Sequence, residues 1–266
     1  LAELRCSVLL DIKGASIEDA ELESLLLGAQ TPLDTARAVR LQAAVLILRG
    51  QFEDAMNASL AGLRCLDIKL SRTPSADEIE SAYRTTMAAL GSVSLEHLSE
   101  QPRASDEATI AAMDLLATLQ SSFFSDDGLK FVHTAKIVEL SIVHGVAGAT
   151  CYGLSWFGVC LASYYGEYAR ALDMAEAAVR LSGQEAFRLY RTSSLVALDQ
   201  VSVWMKPLSY GLSKAKEAFE QGKNNGDISM ACYATNHVVS NLLAMGAPLS
   251  IVKNEAARGL ALARSV

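Results

Sequence analysis

Proline is scarce in this 266-residue chain (5 residues), as are tryptophan (2) and histidine (4). A chain that is 51% apolar and so poor in proline is not disordered, because disorder requires low hydrophobicity and high net charge. Positive charge is also short: 23 Lys and Arg face 30 Asp and Glu, for a net charge of −7. That balance argues against nucleic-acid binding, which needs clustered cations. The five cysteines (Cys6, Cys65, Cys151, Cys160, Cys232) are odd in number and irregular in spacing. No Cys-x-x-Cys occurs and no His stands at zinc spacing from a Cys, so the plain reading is free thiols in a reducing cytoplasm. No basic segment followed by an apolar run opens the chain, so no signal peptide is visible in it. The chain begins Leu1-Ala2-Glu3 and ends inside a helical pattern, which reads as a fragment of a larger protein. The most apolar stretch, Val143 to Tyr165, is interrupted by Gly145, Gly148, Gly153 and Gly158. It reads as a buried helix and not as a membrane span.

Strand signals are missing as well. No run alternates with β-branched residues, and Asn225-Gly226 follows a helical stretch, so it reads as a helix cap and turn. What is present is helical period throughout. Start and stop signals predict helices at about 17–28, 33–49, 52–66, 76–90, 106–123, 128–144, 148–165, 168–182, 185–205, 208–223, 227–245 and 249–264. Ser16 to Asp19 resembles a capping start. Thr31-Pro32 places proline in a first turn, and Ser75 with Glu78 forms the capping-box pattern. Residues 92–105 read as a connector with one short helix. Turns of two to five residues force neighbouring helices antiparallel.

An internal repeat is the strongest signal. Residues 50–66 run Gly-x-Phe with small residues Ala55, Ser59 and Gly62, and residues 166–181 run Gly-x-Tyr with Ala171, Ala175 and Ala178. Gly211, Ala215 and Ala218 repeat the spacing, and Val252, Ala256 and Gly259 do so with one inserted residue. Offsets of four and three put small side chains on one helical face, where another helix can approach closely. Gly166 and Gly246 lie two repeats apart with Lys206-Pro207 midway, so the period is about 40 residues. The expected fold is all-α: a right-handed α-solenoid of stacked antiparallel hairpins, since one hairpin alone cannot bury both faces. It is expected to form a single domain over 1–266, with an N-terminal repeat group at 1–91, a connector at 92–105 and a C-terminal group at 106–266.

The pattern Gly-x-Tyr/Phe-x-x-Ala-x-x-x-small-x-x-small resembles the second half of the tetratricopeptide repeat, with a period longer than that family's roughly 34 residues. A longer series goes further: Gly62 to Leu70, Ala112 to Gln120, Phe123 to Gly128, Gly226-Asp227-Ile228, then Asn241 to Leu249. In this order it is similar to the helical-repeat region of large multidomain bacterial signalling kinases. Those join a serine/threonine-kinase-like domain and an ATPase domain to a helical repeat, a sensory domain and a histidine-kinase module. The resemblance covers about residues 10 to 262 and implies a non-catalytic scaffold or signal relay. Its partners would be neighbouring domains of the parent chain or a second copy. The alternative is a superhelix that senses a small molecule or peptide, like the effector region of maltose-activator-like transcription regulators. Neither reading involves nucleic acid or membrane.

Catalytic signatures are absent. There is no phosphate loop, no kinase motif set and no Gly-x-Ser-x-Gly elbow, so no enzyme and no cofactor is expected of this segment. Asp126-Asp127 lacks the further acid that a magnesium site needs, and reads as a loop with a helix cap. His133 and His144 stand three turns apart, too far to share a metal. His237 has no acid or Cys at a useful helical offset, and His97 reads as a solvated helix end. Cys160, in an apolar helix, reads as inert packing. Glu18-Asp19 and Glu53-Asp54 fall in first turns, where the helix dipole favours them. Recognition is what remains. If the first helix of each hairpin lines a concave face, Gln120, Trp156, Gln200, Tyr233, Asn236 and Ser240 are the candidate ligand-binding or partner-binding residues.

Overall fold

A computed structural model of the chain describes residues 16–125 and 127–265. Cys6 and Asp126 lie outside the described residues. The structure is all-helical, with no strand among the described residues. An isolated parallel bridge joins Arg103 to Val146. The helices are α1 (Asp19–Leu27), α2 (Pro32–Leu48), α3 (Phe52–Arg64), α4 (Ala76–Leu90), α5 (Glu107–Ala117), α6 (Asp127–His144), α7 (Gly148–Tyr165), α8 (Tyr168–Leu181), α9 (Arg191–Ser202), α10 (Leu208–Asn225), α11 (Ile228–Ala244) and α12 (Leu249–Ser265).

Local chemistry explains the boundaries. Ser75 Oγ accepts from Glu78 N at 3.2 Å while Ser75 N donates to Glu78 Oε2 at 2.8 Å, so two backbone donors at the start of α4 are satisfied reciprocally. Thr31 caps α2 with Pro32 at its first position. At α1 the cap is Glu18, two residues later than the expected start at Ser16. Gly226 ends α10 in the left-handed conformation, φ 75°. Two long expected helices are interrupted. Residues 118–121 tighten into a 3₁₀ turn, where Thr118 Oγ1 bonds back to Leu115 O at 2.6 Å. Residues 185–190 form another 3₁₀ segment ahead of α9. The expected connector contains a short 3₁₀ turn, Leu98–Glu100.

The described residues fall into two compact units. Those up to Val93 together with those from Gln101 to Ala149 make one, and Ser94–Glu100 with those from Thr150 onward make the other. The segment expected as a connector is thus shared out between them.

In the first unit α2 packs on α3 and α5, and α4 packs on α6. Gly62 is where α3 comes closest to its neighbours. A Cβ there would lie 2.9 Å from Val39 Cγ1 and 3.0 Å from Leu115 Cδ2. Ser59, one turn earlier, sits 2.7 Å from the Thr118 hydroxyl, so the polar member of the seam is paired. Thr86 Oγ1 donates to Glu139 Oε1 at 3.0 Å between α4 and α6. Residues 102–104 are tied to the turn after α6 by Val146 N to Pro102 O and Ala104 N to Val146 O.

In the second unit α8 packs on α9, α9 on α10, α10 on α11 and α11 on α12, while α9 also reaches α11. Consecutive helices joined by short turns run antiparallel. Ala162, Ala171, Leu172, Ala175, Leu198 and Val201 form one buried cluster joining α7, α8 and α9. Where α7 meets α8, a Cβ on Gly158 would come within 2.9 Å of Ala171 O. The small residues at 171, 175, 178, 211, 215 and 218 are all buried, so those seams face packed neighbours. The last set departs from the expectation. Val252 and Gly259 are buried, but Ala256 is exposed, because no described helix covers that side of α12.

Two outcomes are expected. Ala215→Leu over-packs its seam and costs about 1–3 kcal/mol, whereas Ala256→Leu stays within about 0.5 kcal/mol. Both tryptophans lie in the second unit, so their fluorescence during urea unfolding reads this directly. His133 is fully buried with Nδ1 2.8 Å from Leu129 O, and burial pushes its basicity down to about 4. The unfolded chain therefore takes up this proton near pH 6.5 and the folded chain only near 4. The His133 contribution is present above about pH 6.5 and declines by about 3 kcal/mol on acidification to about 4. Hydrogen exchange of α6 amides should show that decline in the wild type and a flatter profile in His133→Gln.

Candidate functional site

The most unusual chemistry lies between α9 and α11. Asp199 on α9 is 1% exposed, a carboxylate in the interior of a helical stack. Burying such a charge is costly unless its oxygens are paired. Here both are. Oδ2 accepts from His237 Nδ1 at 2.6 Å, and Oδ1 accepts from Asn241 Nδ2 at 2.8 Å. His237 and Asn241 are one turn apart on α11, so they reach one carboxylate together. Gly211 on α10 completes the setting, since a Cβ there would lie 2.6 Å from Asp199 Oδ1 and 3.2 Å from Ser202 Oγ. The third helix can close over the carboxylate because that residue has no side chain.

An ionised carboxylate only accepts, so His237 Nδ1 carries the donated proton and the ring is held in one orientation. The His237 side chain is 16% exposed and its ring centroid lies 4.9 Å from that of Tyr233. Asp199 thus holds the imidazole beside Tyr233 on α11, the helix that also carries Asn236 and Ser240.

The expected recognition residues separate into distinct environments. Trp156, expected on an open face, is core: it is 4% exposed and its Nε1 donates to Ser193 Oγ at 2.7 Å. An indole N–H satisfied inside the protein is not offered to a ligand. Gln200 is half-buried, with its amide nitrogen enclosed and lacking a hydrogen-bond partner. Tyr233 is half-buried, and burial pushes its phenol up. Asn236 and Ser240 are exposed on α11, Ser240 donating to Asn236 O at 2.9 Å. Gln120 belongs to the first unit, half-buried in the 3₁₀ turn. Only the α11 residues lie along one face.

Charge is partitioned between the two helices of each hairpin of the second unit. α7 contains no Asp, Glu, Lys or Arg, α11 contains none, and α9 contains only Arg191 and Asp199. The partner helices carry the rest, for example Arg170, Asp173, Glu176 and Arg180 on α8. Arg191 itself turns to Glu217 on α10, at 2.8 Å. Burial raises Glu217, but hydrogen bonds and charge from Lys214 and Arg191 outweigh it and hold the group below the usual carboxylate range.

The other candidates are buried packing groups or exposed surface. Cys151 and Cys160 are buried, and burial pushes the Cys151 thiol well up. His97 is exposed, its Nδ1 3.1 Å from Ser94 Oγ. No group of three or more His, Cys, Asp or Glu able to hold a metal occurs among the described residues. No helix there is long and apolar enough to cross a membrane. No known family model matches the chain, and no curated protein matches it.

His237→Ala should cost about 3 kcal/mol of unfolding free energy by taking the donor from Oδ2 of the buried Asp199 carboxylate. Replacing Asp199 and His237 together by Leu should cost less than His237→Ala alone, because no orphan charge remains. Tryptophan fluorescence against urea measures both. Equal costs for the double and single variants would contradict the pairing.

Proposed function

We propose that this chain is a non-catalytic helical-repeat scaffold, a right-handed solenoid of tetratricopeptide-like hairpins that relays signals between modules of a multidomain bacterial sensor kinase. The observation that carries the reading is recurrence. Gly50, Gly166 and Gly246 each take a left-handed turn conformation (φ 73°, 67° and 71°) between the two helices of a hairpin. Two of these are followed by an aromatic at the second position, Phe52 and Tyr168, and then by a buried small seam. Contact between α9 and α11, which are not neighbours in sequence, is what stacking of successive hairpins requires. Solenoids suit relay because each repeat touches only its neighbours and the whole offers long surfaces to partners.

A specific observation favours the second reading, a ligand-sensing superhelix. The uncharged face of α11, with an imidazole anchored by a buried carboxylate, suits a ligand recognised through neutral hydrogen bonds.

The reading frame on either side of residues 1 and 266 tests the scaffold. It is expected to encode a nucleotide-binding module upstream and a kinase output module downstream, and a frame encoding neither would contradict the relay role. For the sensor, Asn236→Ala with Ser240→Ala should weaken binding of any ligand found by thermal-shift screening by about 10-fold, and unchanged affinity would remove it.

A further inference from the structure

The helices α10 and α12 both pack on α11 and run antiparallel to it, so they run parallel to each other. Between them opens a cleft of about 380 Å³, with Lys216, Phe219 and Glu220 of α10 on one wall, Glu255 and Arg258 of α12 on the other, and Val238 of α11 in the floor. One hairpin earlier the corresponding helices are tied. There Tyr210 Oη on α10 donates to Glu176 Oε1 on α8 at 3.4 Å, and Lys206 Nζ lies 3.8 Å from the same oxygen. Among the described residues no ion pair crosses from α10 to α12. Arg258 Nη1 turns to Glu255 Oε1 and Oε2 on its own helix at 3.0 and 3.1 Å. Glu220 has Lys223 on its own helix at 3.5 Å, and Lys216 makes no ion pair.

Contacts with α11 set the register of the walls. A Cβ on Gly222 would lie 2.9 Å from Ala231 Cβ, and one on Gly259 would lie 2.6 Å from Thr235 Oγ1. Thr235 is one turn beyond Ala231, so Gly259 stands level with Ala218 of α10. Lys216 and Arg258 therefore stand across the cleft from one another at nearly one level. Glu220 lies about one turn further along α10, ~6 Å away.

Charge and shape select the occupant. The two level cations make a seat for a carboxylate: Lys216 is uncommitted, and Arg258 keeps Nη2 and Nε after Nη1 has bonded Glu255. Glu220 offers its carboxylate to an ammonium one turn on. Val238 is 5% exposed and Phe219 half-buried, so the surface between the charged ends is apolar. An anion alone meets Glu220 and Glu255 as well as the cations, and a cation alone meets Lys216 and Arg258. A neutral apolar molecule strips water from four charged groups without pairing them. A zwitterion with an apolar body is matched at both ends.

We propose that this cleft binds a free α-amino acid with an apolar side chain. Its carboxylate sits between Lys216 and Arg258, its ammonium on Glu220, and its side chain over Phe219 and Val238. A peptide end brings only one of the two charges. Thr235 and Val238 follow Tyr233 and Asn236 by two residues each, about 200° round the helix, so the cleft and the α11 ligand face lie on opposite sides of α11. The proposal is independent of that face and of the relay role.

Isothermal titration calorimetry of the wild-type chain with L-phenylalanine and L-leucine tests it. Both are expected to bind with a Kd on the order of 100 μM. Phenethylamine, which lacks the carboxylate, and 3-phenylpropanoate, which lacks the ammonium, should each bind at least about 10-fold more weakly than L-phenylalanine. Lys216→Met and Glu220→Gln, both at exposed positions, should each weaken L-phenylalanine about 10-fold with unchanged thermal unfolding of the unliganded chain. Lys253→Met, exposed on α12 outside the cleft, should leave the affinity unchanged. No binding of either amino acid at about 10 mM, an analogue that binds as tightly as L-phenylalanine, or an affinity indifferent to Lys216→Met and Glu220→Gln would overturn the proposal. So would binding that is lost in Asn236→Ala with Ser240→Ala, which would move the ligand to the α11 face. A negative result leaves the relay and sensor readings as they stand.

Discussion

Close approach of helices over small side chains is the constraint on which this structure rests. At Gly62, Gly158 and Gly211 an added Cβ would meet a neighbouring helix at 2.9 Å or less, and at 158 the obstacle is backbone, which cannot turn aside. Ala171, Ala175, Ala215 and Ala218 continue those seams with no exposed surface. Dispersion falls steeply with distance, so a seam that admits a helix closely gains contacts along its whole length. It also gives little tolerance to added volume. The left-handed glycines at 50, 166 and 246 serve the same end, because they reverse the chain within a few residues and deliver the second helix onto the first.

The same tightness explains how a carboxylate can sit at the centre of the second unit. Asp199 is enclosed by three helices only because Gly211 leaves room beside Oδ1, and because His237 and Asn241 supply donors from one face of α11. An apolar residue at 199 would satisfy packing at less cost. What the carboxylate adds is direction: it fixes an imidazole beside Tyr233 on a face otherwise free of formal charge. The proposed ligand face and the proposed amino-acid cleft are distinct. They lie on opposite sides of α11, one beside His237 and the other between α10 and α12.

Much of this architecture was legible in the chain. Ser75 with Glu78, Thr31 before Pro32 and Gly226 after a basic helix end are local signals, and the structure uses each of them as expected. The buried seams at 171–178 and 211–218 followed from spacing alone. The Asp199–His237 pair was not legible, because its members lie 38 residues apart and neither has a helical-offset partner. The one available hint was an acid deep inside a helix whose only other charge is Arg191 at its start. Trp156 was a candidate recognition residue because its position counts as groove-facing on the first helix of a hairpin, yet Ser193, 37 residues away, satisfies it in the core. Ala256 shows the converse: its spacing matches the seam, but burial depends on a covering helix, which spacing cannot supply.

Native-state hydrogen exchange on the second unit tests the central physical claim most directly. If the small-residue seams bind these hairpins into one body, central amides of α8, α9, α10 and α11 should open together with a single, highest free energy, and the outer face of α12 should exchange earlier. Four helices that each exchange with their own low opening energy, fraying independently from their ends, would contradict the account.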